Sequence, residues 1–457
     1  MYKSKSLIFL LAIALATKLF ATQPNIVFFI ADDLGANDTS FMGHPEVRTP
    51  ALDRLASKSA LLERMYVASP SCAPSRAAML TGLMPFRNGA ERNHTYARDD
   101  VRQLPLYMKD LGYEVVALGK VKHGNDERAG FDYVDRKMSI EDVVIVEEYL
   151  SQRQSDQPLL LFIGIKDPHV PWPEEPFAHY DPQKLKLPVQ LIDTPDTRLE
   201  YAQYLTDVER MDMQIGVALD AIEKHLGEDV ITFFTSDHGA QLPYGKWNNY
   251  EISVKAPMLI SWPGVVEPGQ RFEAMASFVD ILPTLIEMAG GKPPASGYGK
   301  KQIDGQSLVP LFKGETDTHR DYVFSTNASA AHHTYPLRSV CSERYRYIRN
   351  VYPEINFTVQ TDHNPKAESH NLWVSWVEAA KGNPEIYEKV MGYHQRPAEE
   401  LYDLHADPDE QINLADDPKH VQTLRKLRAI TDNWIRLSGD TLQMHGKPMD
   451  ILIPIQK

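Results

Sequence analysis

The chain has 457 residues, a formal net charge of −14, and a composition that is 43% hydrophobic and 24% charged. That length holds two or three average domains, or one large α/β domain with a smaller partner. The acidic balance argues against nucleic acid as a partner and requires any anionic ligand to meet a locally basic pocket.

Residues 1–21 have the make-up of a cleaved signal peptide. Lys3 and Lys5 form a basic start, Leu7 to Ala16 an apolar run, and Ala21 a small residue at the cleavage point. Its removal takes away three lysines and no acid, leaving a charge of about −17. The apolar run is too short to span a bilayer and no later segment qualifies, so the expectation is a periplasmic or secreted protein without stable membrane insertion. Two cysteines, Cys72 and Cys341, make no disulfide framework, although one bridge between them is open in an oxidising compartment.

Asn25 to Ile30 is a continuous apolar run, as in a buried parallel strand, and it ends in Asp32-Asp33. Adjacent carboxylates after a buried strand are costly unless a cation is bound, and hard oxygen ligands suit Ca²⁺ or Mg²⁺. A solvated strand-end turn is the plainer alternative. Thr49 to Ser59 reads as a short helix with Pro50 at its first position.

Ser71 to Gly82 (Ser-Cys-Ala-Pro-Ser-Arg-Ala-Ala-Met-Leu-Thr-Gly) places Cys72 at a helix start, with Pro74 near the first position, Arg76 one turn on, and Gly82 at the stop. The unpaired N–H groups and dipole of such a start suit an anion and would lower a cysteine pKa. A small buried thiol before an ordinary capped helix is the competing reading.

Polar Arg92, Asn93 and His94 precede a helical pattern near Val101 to Leu111. Tyr113 to Leu118 is a second strand, running into Lys120-Val121-Lys122-His123. Leu159 to Ile165 is a third, ending in Lys166-Asp167-Pro168-His169. Leu199 to His225 has helical periodicity, and Val230 to Phe234 is a fourth strand, ending in Asp237-His238. Strands alternating with helices imply an α/β fold with a large, mostly parallel sheet, and ligands of such sheets bind beyond the carboxyl ends of the strands. Four strand ends deliver Asp32/Asp33, Lys120/His123, His169 and Asp237/His238 to that edge. Lys246 follows in a polar loop, then a fifth apolar run at Pro257 to Ser261 and a helix at Phe278 to Gly290.

Past Tyr335 the texture changes. Tyr345 to Arg349 and Glu400 to Leu404 read as short strands, and Val421 to Ser438 as a charged closing helix. The division expected is a catalytic unit over 22–334 and a smaller α+β subdomain over 335–457. Arg344, Arg346 and Arg349 read as a salt-bridge set or a solvated strand face.

The string Cys-x-Pro-Ser-Arg-x-x-x-Leu-Thr-Gly resembles the signature of the type I sulfatases of the alkaline-phosphatase superfamily. Ser277-Phe278-Val279-Asp280-Ile281-Leu282-Pro283-Thr284, Asp304-Gly305-Gln306-Ser307-Leu308, Leu401-Tyr402-Asp403-Leu404 and Asn413-Leu414-Ala415 resemble it too, over about Asn25 to Ala415. Ser71 to Arg76 and His332 to Val340 are most similar to the N-sulfoglucosamine sulfohydrolase branch. Gly119 to His123 and Ser236 to Gly239 are closer to iduronate-2-sulfatases.

The resemblance implies that a maturation enzyme oxidises Cys72 to formylglycine, whose hydrate attacks sulfur to give a covalent sulfo-enzyme and then expels sulfate. It implies a Ca²⁺ ion held by Asp32, Asp33, Asp237, His238 and an oxygen of modified Cys72. Arg76, Lys120 and Lys246 would hold sulfate oxygens, His169 would protonate the leaving group, and His123 would orient the formylglycine. His94, His332, His333 and Arg338 are candidates for recognising a sulfated glycan, with a surface loop as the alternative for the adjacent histidines. The expected activity is removal of O-sulfate or N-sulfate from a carbohydrate. A phosphodiester or phosphonate monoester hydrolase, or an inactive sulfated-glycan-binding homologue, are the alternatives.

Overall fold

A computed structural model describes residues 23–124, 129–137, 143–330, 333–363 and 370–451. The expected signal peptide, His332, and the sequence beyond 451 lie outside them. Nine strands make the main sheet: β1 (Asn25–Ala31), β2 (Ala60–Tyr66), β3 (Glu114–Gly119), β4 (Tyr133–Asp135), β5 (Leu159–Ile165), β6 (Val230–Ser236), β7 (Lys255–Ala256), β8 (Met258–Ser261) and β9 (Arg271–Ser277). They run in the order β4-β3-β5-β1-β6-β8-β2-β7, with β9 also paired to β2. The β4-β3-β5-β1-β6 half is parallel; β8 joins β6 and β2 antiparallel. The mostly parallel α/β fold read from the sequence is the fold observed.

Burial explains the unbroken apolar runs. Along β1, Val27, Phe29 and Ala31 enter one core layer, while Ile26, Phe28 and Ile30 enter the layer on the opposite face. Phe28 packs against Phe162 and Phe233 of the neighbouring strands at 5.5 and 5.3 Å between ring centroids. A strand covered on both faces has no polar side to alternate with. The 32-residue helix Pro195–Leu226, capped by the Thr194 side chain, covers the first face. It begins earlier than the Leu199 expected, because Thr194-Pro195 supplies a cap and a first-position proline. Among the described residues, no helix is long and apolar enough to cross a membrane.

Register sets the functional edge. Ala31 lies opposite Ile165 of β5 and Ser236 of β6, so the residues that follow each strand emerge side by side. Gly119 pairs with Gly164, and the Lys120 N–H donates to the Gly164 carbonyl at 2.8 Å. A β-carbon on Gly164 would collide with the Lys120 carbonyl, so glycine lets β3 release Lys120 at this level.

The second sheet is antiparallel, in the order β10 (Val323–Ala330), β11 (His333–Cys341), β12 (Tyr345–Asn350) and β13 (Glu399–Asp403). It packs with the helix Val421–Ser438 through Val340, Tyr347, Leu401, Leu424 and Leu427. Its first strand lies upstream of the expected division at Tyr335, because β11 needs β10 as its hairpin partner. Arg344, Arg346 and Arg349 pair with Asp403, Glu251 plus Glu410, and Asp432, the salt-bridge set anticipated.

Candidate active site

The helix at the centre of the site runs Cys72–Thr81. Ser71 is its N-cap in extended backbone, and Gly82 ends it in the left-handed region at φ 66°. Pro74 is therefore the third helical residue, not the first, and Cys72 itself opens the helix. Asn93 Oδ1 accepts from the Ala73 N–H at 3.4 Å, and Ser75 Oγ donates to the Asp237 carbonyl at 2.7 Å, tying the helix start to β6.

Around Cys72 Sγ stand His238 Nε2 at 3.3 Å, Asp33 Oδ1 at 3.6 Å and Lys120 Nζ at 3.8 Å. Asp32, Asp33, Arg76, Asp237 and His238 are all 0% exposed. Arg76 donates through Nε to Asp237 at 2.8 Å, through Nη2 to Asp32 at 3.1 Å, and through Nη1 to the Lys120 carbonyl. Lys120 Nζ also pairs with Asp32. Lys246 Nζ lies 2.6 and 2.8 Å from the Asp33 oxygens, and Gln241 Oε1 accepts from it at 3.2 Å. His169 Nε2 is 3.9 Å from Asp33, with a quarter of its side chain exposed.

Asp33 has a left-handed backbone at φ 65°. Its N–H donates to Asp237 Oδ1 at 3.1 Å, and the next N–H, of Leu34, donates to Ser236 Oγ at 3.0 Å. That tight turn aims both carboxylates into the cluster.

Burial by itself would raise Asp32, but Lys120, His169 and Arg76 hold it well below the usual carboxylate range. At Asp33 burial is again outweighed, here by Lys246 and His169. For Asp237 burial wins over Arg76, and its pKa is raised. The Cys72 thiol is pushed well above its ordinary value by burial and then by Asp32, despite Lys120 and Lys246. The helix start therefore does not acidify this cysteine; desolvation beside carboxylates overrides the dipole. Burial, with Lys120 and Arg76, lowers His123 to about 3, and burial lowers His169 despite Asp33.

The expected residues Asp32, Asp33, Cys72, Arg76, Lys120, His169, Asp237, His238 and Lys246 thus meet at one sheet edge. Ligand atoms of Asp32, Asp33, Cys72 and His169, and of Asp33, Cys72, Asp237 and His238, form two overlapping sets lying within 4.8 Å of one another. Three buried carboxylates meet three buried or part-buried cations here. A divalent cation added to this balance would leave an excess positive charge for an anionic ligand to offset. The carboxylate oxygens suit a hard cation such as Ca²⁺ or Mg²⁺, and the imidazole nitrogen is a softer donor than either prefers.

His123 and His94 stand at the rim, their rings 5.5 Å apart. His123 Nε2 and Ser71 Oγ are buried with no hydrogen-bond partner among the described residues. His123 and Lys122 border a cleft of about 520 Å³ that runs along Ala73, Ala77 and Leu80 of the helix. His333 opens β11 opposite Ala330.

Arg338 is placed differently from the glycan-recognising role expected of it. It is 1% exposed, forms a two-pronged pair with Asp440, and donates to the Leu337 and Asn327 carbonyls. Its charge is neutralised inside the protein. Cys72 and Cys341 are both free and buried, so the possible bridge does not form. Gln241, Ser75 and Asn248 were not legible as site residues, since each is an ordinary polar residue until the fold brings it to Lys246 or Asp237.

The chain matches the Sulfatase family over residues 24–291 and the family "N-sulphoglucosamine sulphohydrolase, C-terminal" over 239–380. It is 30% identical over 452 residues to an ulvan-active sulfatase of Formosa agariphila, covering 94% of this chain and 84% of the relative. It is 29% identical over 473 residues to the N-sulphoglucosamine sulphohydrolase of Homo sapiens, covering 93% and 92%. Among solved structures, the phosphonate monoester hydrolase of Silicibacter pomeroyi superposes with a TM-score of 0.69 at 20% identity, covering 92% of this chain and 97% of the other. At that identity the likeness is one of fold alone.

Proposed function

The chain belongs to the sulfatase family, and we propose that it removes sulfate groups from a sulfated carbohydrate, with Cys72 as the precursor of its nucleophile. The observation that carries this reading is the convergence of Asp33, Lys120 and His238 on Cys72 Sγ. The names of the two near-full-length relatives, one for activity on ulvan and one for N-sulphoglucosamine, support a carbohydrate as the carrier of the sulfate.

A sulfate monoester is anionic, so it repels nucleophiles, and its alkoxide leaves poorly. Lys120 and Lys246 answer the first difficulty, bringing cationic donors to where charge builds on the sulfate oxygens. Arg76, sealed against Asp237 and Asp32, holds those carboxylates in place and extends the positive field. His169 answers the second. It stands between the sealed Asp33 and solvent, and its Nδ1 faces the Val170 carbonyl at 2.6 Å, which leaves Nε2 for the leaving oxygen or nitrogen. A bound sulfate anion would raise its lowered pKa toward a protonated form. His123, kept neutral, offers its unpartnered Nε2 to orient the nucleophile.

Formylglycine at position 72 would supply, as its hydrate, one hydroxyl to attack sulfur and another to release sulfate. A Ca²⁺ ion held by Asp32, Asp33, Asp237 and His238 would polarise the sulfate oxygens. Cys72 is 1% exposed in the folded chain, so a maturation enzyme would act on it before the chain closes. A signal peptide at residues 1–21 would carry the product to the periplasm or outside the cell.

The test is sulfate release from a panel of N-sulfated, 3-O-sulfated and 6-O-sulfated glucosamines and a 2-O-sulfated uronic acid, beside an aryl sulfate and an aryl phosphodiester. Release from at least one sulfated sugar, faster than phosphodiester cleavage, is expected. Faster turnover of the phosphodiester would favour the phosphonate-type alternative. Sugar binding without turnover by matured protein would favour a binding homologue.

A further inference from the structure

Lys246 rides on a loop that is held in an unfavourable shape. Tyr244 and Trp247, on either side of Lys246, are both non-glycine residues in the left-handed region, at φ 67° and 69°. Such a conformation is unfavourable for a residue that carries a β-carbon and persists only where its surroundings hold it. The Lys246 N–H donates to Ala240 O and the Trp247 N–H to Pro70 O, both at 2.8 Å. Asn327 Nδ2 of β10 donates to the Trp247 carbonyl, also at 2.8 Å. The carbonyls of Lys246 and Gly245 accept from Asn248 Nδ2 at 3.1 and 3.2 Å.

Asn248 is wholly buried, and an amide can point either end at a carbonyl. Only the Nδ2 end is productive at the Lys246 carbonyl. Arg396 makes that choice. Its Nη2 donates to Asn248 Oδ1 at 2.6 Å, which forces the amide nitrogen toward Lys246. Arg396 lies between the helix Pro384–His394 and β13 and is 4% exposed. Its Nε donates to the Tyr393 carbonyl at 3.0 Å. Its guanidinium carbon lies 3.7 Å from the Phe357 ring centroid and 5.4 Å from those of Tyr250 and Tyr393. A planar cation held among three rings, with two of its edges hydrogen-bonded, has little freedom to turn.

We propose that Arg396 is a positioning residue for Lys246: through the Asn248 amide it sets the loop that points the lysine at Asp33 and the sulfate site. The proposal rests on the reading of Lys246 as part of that site. It assigns the C-terminal part of the chain a share in building the reaction centre.

A double-mutant cycle on the matured full-length protein tests it, with kcat and KM for sulfate release measured on wild type, R396A, K246A and the double variant. A displaced loop should cost R396A roughly 10- to 100-fold in kcat/KM. In the K246A background the same change should cost less than about 3-fold, since nothing remains for Arg396 to position. R396K, which keeps the charge among the rings but not the fork, serves in the same cycle if R396A does not fold. N248D should reproduce the loss, because a carboxylate would still accept from Arg396 while repelling the Lys246 carbonyl. Losses that multiply in the double variant, or an R396A as active as wild type, overturn the proposal. K246A with wild-type activity overturns the reading of Lys246 as well, which separates the two failures.

Discussion

His238 Nε2 stands 3.3 Å from Cys72 Sγ, and the same nitrogen lies 3.4 Å from Asp33 Oδ1. An atom at position 72 is therefore within reach of the whole buried donor set, although the cysteine is far from the other members in sequence. The register of β1 against β6 and the start of the Cys72–Thr81 helix create that meeting point. Replacing the residue should remove the reaction and spare the fold. Cys72→Ala is expected to lower sulfate release by roughly 10⁴-fold or more while the unfolding midpoint stays close to wild type. Residual turnover within about tenfold of wild type would exclude a nucleophile at this position.

Arg76 has no access to water and two carboxylate partners. Removing it strands charge in a dry interior. Arg76→Met should destabilise the protein by about 3–5 kcal/mol in urea unfolding, beyond the effect of lost packing. A loss under 1 kcal/mol would mean that water or a counter-ion reaches Asp237 and Asp32.

A divalent cation bound among the carboxylates that surround Cys72 would make stability depend on it. Treatment with EGTA should lower the thermal midpoint and abolish turnover, and Ca²⁺ should restore both better than Mg²⁺. At a concentration of about 100 Kd the ion would add roughly 2.7 kcal/mol. A midpoint indifferent to chelator and Ca²⁺ would contradict the metal assignment.

The histidine at the rim gives stability a pH dependence whose sign follows from its environment. His123 titrates at about 3 in the folded chain against an ordinary value of 6.5. Below about pH 6.5 the unfolded state takes up a proton that the folded state refuses, so its contribution is complete above that value and is lost as pH falls toward 3. The lowered pKa of His169 acts in the same direction. Urea midpoints between about pH 4 and pH 6.5, inside this window, should fall less steeply with acid for His123→Asn than for wild type. Parallel profiles would show that His123 is not buried as described.

Four members of this site were legible along the chain because each sits shortly after a strand, and buried parallel strands announce themselves as apolar runs. Asp32, Lys120, His169 and Asp237 are found in this way. The strand β2 was not, since Glu63 and Arg64 interrupt its run and it pairs near the far end of the sheet. The raised pKa of Cys72 was hidden too, because the helix start is a local feature whereas the burial and the neighbouring carboxylates come from β1 and β6. Arg338 and Arg396 show the same limit from opposite sides. The first sits in a family-like phrase yet is spent on Asp440. The second carries no motif, yet reaches Lys246 through one amide.

The Arg338–Asp440 pair gives a direct check on that reassignment. Both side chains are 1% exposed. Arg338→Met and Asp440→Leu should each cost about 3–5 kcal/mol, and the double variant should recover much of the loss. Additive losses with a raised KM for glycan would return Arg338 to a recognition role.

The proposed reaction requires that Cys72 does not remain a cysteine in the working enzyme. Peptide mass spectrometry of active protein, digested after reaction with an aldehyde-specific hydrazide, tests it most directly. A hydrazone at position 72, in a yield that tracks specific activity across preparations, is the expected result. A fully active preparation whose position-72 peptide carries an unmodified thiol would contradict it.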